Sequence, residues 1–462
     1  MTATTLAQSR AFAVWWKDLE RWVIPSSVLL GQSLPKGWER VRVGSLVRQV
    51  TKRIKADPDH EYKMAGVKWY GEGVFHRETV RGDGMSATYV TPLVTGALIY
   101  NRLFAWKASF AVVTPEFADC YVSNEFPQFV PDPSRILPEY LYLFCTRAAT
   151  IRAVNAASTG SSAVSRNRFK EEEFLNFEIS LPPLTEQEAI VARWRKVQRD
   201  IAAARERAEK KQTEIESRFF SDLGLQLPDR ASMPKAFAVP WRDFHRWGVS
   251  FNYLNQSGAD LSLSRYPVVA LESIVDMVQY GTSEKANSNR DGVAVIRMNN
   301  ILDGELDLRN LKHLRLSERD RKRLLLRNGD ILFNRTNSKE LVGKCAVYHS
   351  PEEYVFASYL IRVRIDDSKA DPDFVAYAIN SPIGRQQIDA LSRQIIGQAN
   401  INSEELRGLQ VPLPPLAVQK EIVERIAEQR RKIARERETV ERLSGDVDTE
   451  IEALILGSKR LN

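Results

Sequence analysis

Two apolar runs of this 462-residue chain end in the same dipeptide, Asn101-Arg102 after Leu98-Ile99-Tyr100 and Asn334-Arg335 after Ile331-Leu332-Phe333. An arginine fork matches the paired acceptors of a guanine edge or a phosphate, and an asparagine amide matches an adenine edge. The same pair also serves to cap a strand and engage a nearby carboxylate, so two readings are open. Beyond the pairs the neighbours differ, Leu103-Phe104-Ala105-Trp106-Lys107 against Thr336-Asn337-Ser338-Lys339, as two readers of different sequences would. Two further loops have the Gly-Ser-Asn composition of close-approach segments and of ordinary turns alike: Ser158 to Ser162 with Arg166 and Arg168, and Gly397 to Asn400 with Asn402. The candidate nucleic-acid contacts are therefore Asn101, Arg102, Trp106, Lys107, Ser161, Arg166 and Arg168 in the first half. In the second they are Asn334, Arg335, Asn337, Lys339, Gln398 and Asn400.

Catalytic constellations are missing. The chain has neither a G-x-x-x-x-G-K-[ST] phosphate loop nor a G-x-G-x-x-G turn. Its Pro-Pro pairs follow leucine, not the Asn or Asp with which an amino-methyltransferase holds its target amine. The run Pro58-Asp59-His60-Glu61-Tyr62-Lys63 looks like a metal-nuclease PD…ExK cluster, but one residue between the acids is too few to set them on separate strands around a metal. His60, His76, His245, His313 and His349 have no ligand spacing, and Cys120, Cys145 and Cys345 form no C-x-x-C pair. No catalytic residue and no metal site is expected.

The elements that must position the candidates are written twice. Leu181-Pro182-Pro183-Leu184 with Gln187 and Ile190-Val191 returns as Leu413-Pro414-Pro415-Leu416 with Gln419 and Ile422-Val423. Trp16-Lys17-Asp18-Leu19 returns as Trp241-Arg242-Asp243-Phe244, and Gly96 to Arg102 as Gly329 to Arg335. Similar offsets throughout mean a colinear repeat with loop insertions. Short strands are expected over 96–102, 109–113, 126–130, 293–298, 329–333 and 359–364, with helices over 138–150 and 373–380.

After each proline box the pattern turns to a heptad. Ile190, Trp194, Val197, Ile201, Ala204, Ala208, Lys211, Ile215 and Phe219 form one seam; Ile422, Ile426, Gln429, Ile433, Glu436, Val440, Leu443, Val447 and Ile451 form the other. A helix with one apolar stripe cannot bury it alone, and its own repeat is the partner at hand. Helices of about 30 residues would give a rod roughly 45 Å long. Gly445 is expected to weaken the second. The fold class is α+β: two homologous α/β domains separated by a pair of long antiparallel coiled-coil helices in a pseudo-twofold arrangement. Their expected bounds are 1–184 and 226–416 for the domains, and 185–225 and 417–462 for the helices.

With 43% hydrophobic and 27% charged residues the chain should fold. A net charge of +7 permits a polyanionic partner. No stretch approaches the roughly 18 apolar residues of a membrane helix, and nothing marks the N-terminus for export, so the expected location is cytoplasmic.

A duplicated domain followed by a [LI]-P-L-P-P-L-x-x-Q-x-x-I-V box and a long helix resembles the specificity subunit of type I restriction-modification systems. Both boxes are present, and Met64 to Gly71 through Ser123 to Pro127 looks like one recurring type of target-recognition domain. Val418 departs from the family's usual Glu. The resemblance implies a non-catalytic chain that reads a bipartite, interrupted site in double-stranded DNA, one half per domain. It also implies docking of two methyltransferase subunits, which bind S-adenosylmethionine, and through them of restriction subunits. The residues assigned to that subunit interface are Pro183, Gln187, Ile190, Trp194, Ile201, Pro415, Gln419, Ile422, Ile426 and Ile433. Rival readings are the specificity subunit of a type IIB-like restriction system and a coiled-coil adaptor with no DNA role.

Overall fold

A computed structural model describes residues 34–158, 168–226, 238–239, 259–289, 291–338, 341–391, 393–395 and 398–460. Contacts divide the chain into two compact units, 1–205 with 438–462, and 206–437.

Each unit is built on an antiparallel four-stranded sheet with the same strand order. In the first unit the order is Val47–Gln49, Gln128–Pro131, Leu98–Tyr100, Phe110–Val112; in the second it is Val275–Tyr280, Leu360–Ile365, Ile331–Asn334, Cys345–Val347. Strand period two explains why the apolar runs are continuous rather than alternating. Leu98 and Tyr100 enter one apolar cluster and Ile99 another, while Ile331 and Phe333 enter one and Leu332 another. Both faces of these strands are covered, so the runs Leu98 to Tyr100 and Ile331 to Phe333 are apolar throughout.

One face is covered by helices. In the first unit these are α1 (Pro138–Thr146), α2 (Ala148–Ala157) and α3 (Glu171–Asn176), followed by the strand Glu178–Leu181 and the long helix α4 (Leu184–Asp222). The expected single helix over 138–150 is broken at Arg147, whose φ of −68° and ψ of 149° are extended. The second unit adds α5 (Glu318–Leu324) and then repeats the plan with α6 (Pro372–Asn380), α7 (Pro382–Leu391), α8 (Ser403–Arg407), the strand Gln410–Pro412 and the long helix α9 (Leu416–Ile455).

The other faces diverge. The first unit carries a five-stranded sheet that includes Glu61–Val67 and Val74–Arg81. The second carries a three-stranded sheet of Lys312–Leu314, Val293–Ile296 and Tyr354–Phe356, and another of Thr336–Asn337, Gln398–Asn400 and Arg393–Ile395.

Helices α4 and α9 have 39 and 40 residues, longer than about thirty, and α9 continues through Gly445. Every seam position named from the heptads is buried or half-buried. In the first unit Ile190, Val191, Val197 and Ile201 of α4 share a cluster with Val447, Ile451, Leu454 and Ile455 of α9, and Arg193 reaches Glu450 at 3.0 Å. In the second unit Ile215, Phe219 and Phe220 of α4 share a cluster with Ile422, Ile426 and Ile433 of α9. The start of one helix thus packs on the end of the other, which makes the pair antiparallel. Two charged seam positions meet each other: Glu436 accepts from Lys211 at 3.3 Å and from Arg207 at 2.9 Å. The sequence-based bounds treat helices and domains as separate segments. In the structure each unit takes one globular part and a portion of both helices, because each stretch of seam is buried in that unit's own core.

The proline boxes have a specific task. Gln187 is fully buried; its carbonyl oxygen accepts the Leu137 N–H at 2.9 Å, and its amide donates to the carbonyls of Arg135 and Pro182, both at 2.9 Å. Gln419, also fully buried, accepts the Asp371 N–H at 2.8 Å and donates to the carbonyls of Pro414 at 2.7 Å and Lys369 at 3.4 Å. The first turn of each long helix is thereby tied to the entrance of the nine-residue helix of its own unit. Gln187→Ala and Gln419→Ala are each expected to destabilise the protein by about 1–3 kcal/mol, since each strands a buried N–H and two carbonyls. Urea unfolding checks this: the midpoint should fall with little change in slope.

Candidate nucleic-acid interface

In the first unit the strand Leu98–Tyr100 delivers the chain into a short aromatic turn. Asn101 folds back on its own backbone, its side-chain oxygen accepting the Leu103 N–H at 3.0 Å, and the Trp106 indole donates to the Leu103 carbonyl at 3.0 Å. Lys107 Nζ stands 3.6 Å above the Trp69 ring and 5.1 Å from the Trp106 ring centroid, a cation held on aromatic faces. Trp69 is 41% exposed and Tyr70 is 72% exposed. Tyr70 also has φ of 57°, an uncommon conformation for a bulky residue, which turns its ring outward between the flanking Trp69 and Gly71. Trp69 and Tyr70 are missing from the sequence-derived candidates. The legible signal was two adjacent aromatics followed by Gly71 and Gly73.

Arg102 has an internal partner. Its guanidinium is paired with Glu171 at the start of α3, and both side chains are only one-fifth exposed. Arg168 pairs with Glu125 at 2.8 Å but keeps 58% of its side chain exposed. Ser161 and Arg166 lie outside the described residues.

The second unit treats the matching dipeptide differently. Asn334 is 2% exposed and donates to the Leu341 carbonyl at 3.1 Å, so it is part of the packed interior and does not face a groove. This corrects its place among the contacts; four successive residues of that strand are buried, and the asparagine is the last of them. Arg335 rests 4.9 Å from the centroid of the Tyr280 ring. Asn337 accepts the Ser338 N–H at 2.8 Å, and Thr336 donates to the side chain of exposed Asn400 at 3.1 Å across the pairing of Thr336–Asn337 with Gln398–Asn400. Lys339 and the side chain of Gln398 lie outside the described residues. Tyr280 and Tyr359, 38% and 53% exposed, flank Arg335 and were not anticipated.

Most residues assigned to a subunit interface belong to the interior instead. Gln187, Ile190, Ile201, Gln419, Ile422, Ile426 and Ile433 are each at most 8% exposed, because the helix stripe that heptads reveal is the stripe that packs within this chain. Pro183 and Pro415 are exposed. Trp194 is half-buried; its ring lies 5.8 Å from that of Tyr142, and both line a cleft of about 1110 Å³ with Arg195, Gln198 and Arg205. Burial against this helix face pushes the Tyr142 phenol up to about 12.

Among the described residues no three His, Cys, Asp or Glu side chains come together as a metal site. Asp59 pairs with Arg81 at 3.0 Å and Lys63 with Asp119 at 2.5 Å, so the nuclease-like run is spent on separate surface ion pairs. Burial pushes the Cys345 thiol up to about 12 and Cys145 higher still, leaving neither as a nucleophile. No helix among the described residues is long and apolar enough to cross a membrane.

The Arg102–Glu171 pair predicts a stability effect. Arg102→Ala and Glu171→Ala should each lower stability by about 1–3 kcal/mol, and the double variant should lose less than the sum. A thermal-denaturation double-mutant cycle measures that coupling.

The sequence matches the family described as the type I restriction modification DNA specificity domain twice, over residues 35–212 and 265–443. Each match begins near the first strand of a unit and ends within a long helix, so the repeated element is a domain together with its helix. The putative type I restriction enzyme MjaX specificity subunit of Methanocaldococcus jannaschii is 29% identical over 159 residues, which cover 34% of this chain and 37% of that protein. The type I restriction enzyme EcoKI specificity subunit of Escherichia coli K12 is 26% identical over 275 residues, 59% of this chain and 54% of that one. The matches thus span 37% and 54% of the length of these relatives. A chain solved in work on complex assembly and conformational transition of the type I restriction-modification system superposes with a TM-score of 0.55 at 16% identity, covering 92% of this chain and 99% of that one, which shows a shared fold. Carrying two copies of the specificity domain, each with its latching glutamine and long helix, this chain belongs to the type I restriction-modification DNA specificity family.

Proposed function

We propose that this chain is the non-catalytic specificity subunit of a cytoplasmic type I restriction-modification complex, in which each unit reads one half of a bipartite, interrupted site in double-stranded DNA. The observation that carries this reading is the duplication itself: two specificity domains in one chain, each latched through a buried glutamine to one of two antiparallel helices. Two readers in one chain suit the two halves of a bipartite site. Lys107 over the Trp69 ring and Arg335 over the Tyr280 ring supply cations on aromatic surfaces, the chemistry of DNA contact. Phosphate contacts would provide affinity and salt dependence, and groove contacts would provide choice of sequence.

The methyltransferase and restriction subunits dock, in this reading, on what the helix pair leaves accessible. Pro183, Pro415 and the Trp194 face of the cleft replace the buried seam residues as candidates. S-adenosylmethionine belongs to the methyltransferase partners, and the chain itself needs no cofactor.

Retention of duplex DNA should be strong at low salt and fall steeply with added salt; binding indifferent to salt, or none at all, counts against the reading. Purified alone with S-adenosylmethionine, the chain should neither methylate nor cut DNA. Exchanging residues 1–180 for those of another specificity subunit should alter one half-site in a methylation map and leave the other unchanged.

A further inference from the structure

The two repeats set an arginine at the same point, directly after the third apolar residue and the asparagine of the central strand, yet give it opposite electrostatic surroundings. In the first unit Arg102 is neutralised by Glu171, the first residue of α3. The matching helix of the second unit, α8, opens with Ser403 in that place. The Ser403 N–H donates to the Tyr280 hydroxyl at 3.0 Å, and the ring of that tyrosine carries the Arg335 guanidinium. No carboxylate among the described residues lies within ion-pair distance of Arg335, and its Nε is buried without a partner. The terminal nitrogens are left as its donors to anything outside.

Among the described residues near Arg335, two tyrosines are exposed. Tyr280 and Tyr359 are 38% and 53% exposed, and the Tyr359 carbonyl accepts the Arg335 N–H at 3.0 Å, fixing the backbone beneath the side chain. Asn400, bonded to Thr336, lies exposed on the neighbouring strand. A guanidinium stacked on an aromatic face has lost part of its rotamer freedom before any ligand arrives, so less is lost when it forms a two-pronged contact.

We propose that Arg335, steadied by Tyr280, is a direct DNA contact of the second unit, whereas Arg102 is an internal tie, so that the two readers meet DNA through different side chains at one repeat position. The proposal rests on the DNA-reading function stated above. Its ligand is a pair of close acceptor atoms on DNA, either phosphate oxygens or the O6 and N7 of a guanine edge.

The test uses the full chain assembled with its methyltransferase and a set of duplexes carrying the recognised site with single base-pair changes. Arg335→Ala should weaken binding about 10-fold or more, while Arg102→Ala leaves the sequence preference unchanged. Ser403→Glu transplants the carboxylate that the first unit already carries; it should mimic Arg335→Ala without lowering the unfolding temperature, which keeps the result independent of a folding defect. A uniform loss across all duplexes with a shallower salt dependence assigns the contact to phosphate; lost preference at one base pair assigns it to a base edge. Wild-type affinity and preference in both Arg335→Ala and Ser403→Glu overturn the proposal while leaving the general reading standing. A wild-type complex that binds no duplex at low salt overturns both.

Discussion

One buried primary amide in each repeat governs how a long helix leaves its domain. An amide offers one acceptor and two donors on a single rigid plane, and Gln187 and Gln419 each spend all three on backbone groups. The prolines before them have no N–H to satisfy, and one carbonyl of each Pro-Pro pair is a receiver of the amide. The exit direction of α4 is therefore set relative to α1, and that of α9 relative to α6. A shorter residue would not span the loop, and a carboxylate would lack the two donors.

Given those exits, the helix seams do the remaining work inside each unit. The charged seam positions Lys211 and Glu436 do not spoil the stripe, because they face one another and Arg207 joins them. A half-buried carboxylate with two cations is satisfied where an isolated one would not be, and the Glu436 carboxyl is held below the usual range mainly by its hydrogen bond to Arg207. Such a layer favours one register of antiparallel pairing over its neighbours, as a polar seam residue does in coiled coils.

Around the shared sheets the two units solve local problems differently. Where the first unit has buried Ala97, the second has fully buried Asp330, held by Arg364 at 2.8 and 2.9 Å and by Arg362 at 3.5 Å. The first unit neutralises Arg102 with Glu171; the second leaves Arg335 on a tyrosine ring. The sheet and its helices are common to both, and the charges at their edges are particular to each.

Much of this was legible in the chain alone. Repetition of whole segments at nearly constant offset established two like units; continuous apolar runs at Leu98 to Tyr100 and Ile331 to Phe333 marked strands covered on both faces; and the 3.5-residue stripe located both long helices and the residues they bury. These signals are periodic and local, so they survive in one dimension. The tertiary structure alone decided what each polar residue is for. Gln187 and Gln419 read as parts of a docking surface and proved to be internal latches, Asn334 read as a contact and is buried, and Trp69 and Tyr70, read only as part of a stretch typical of one domain type, stand exposed. Such assignments depend on partners distant in sequence, Leu137 for Gln187 or Glu171 for Arg102, and no spacing rule within one strand or helix reports which distant group folding will bring within 3 Å.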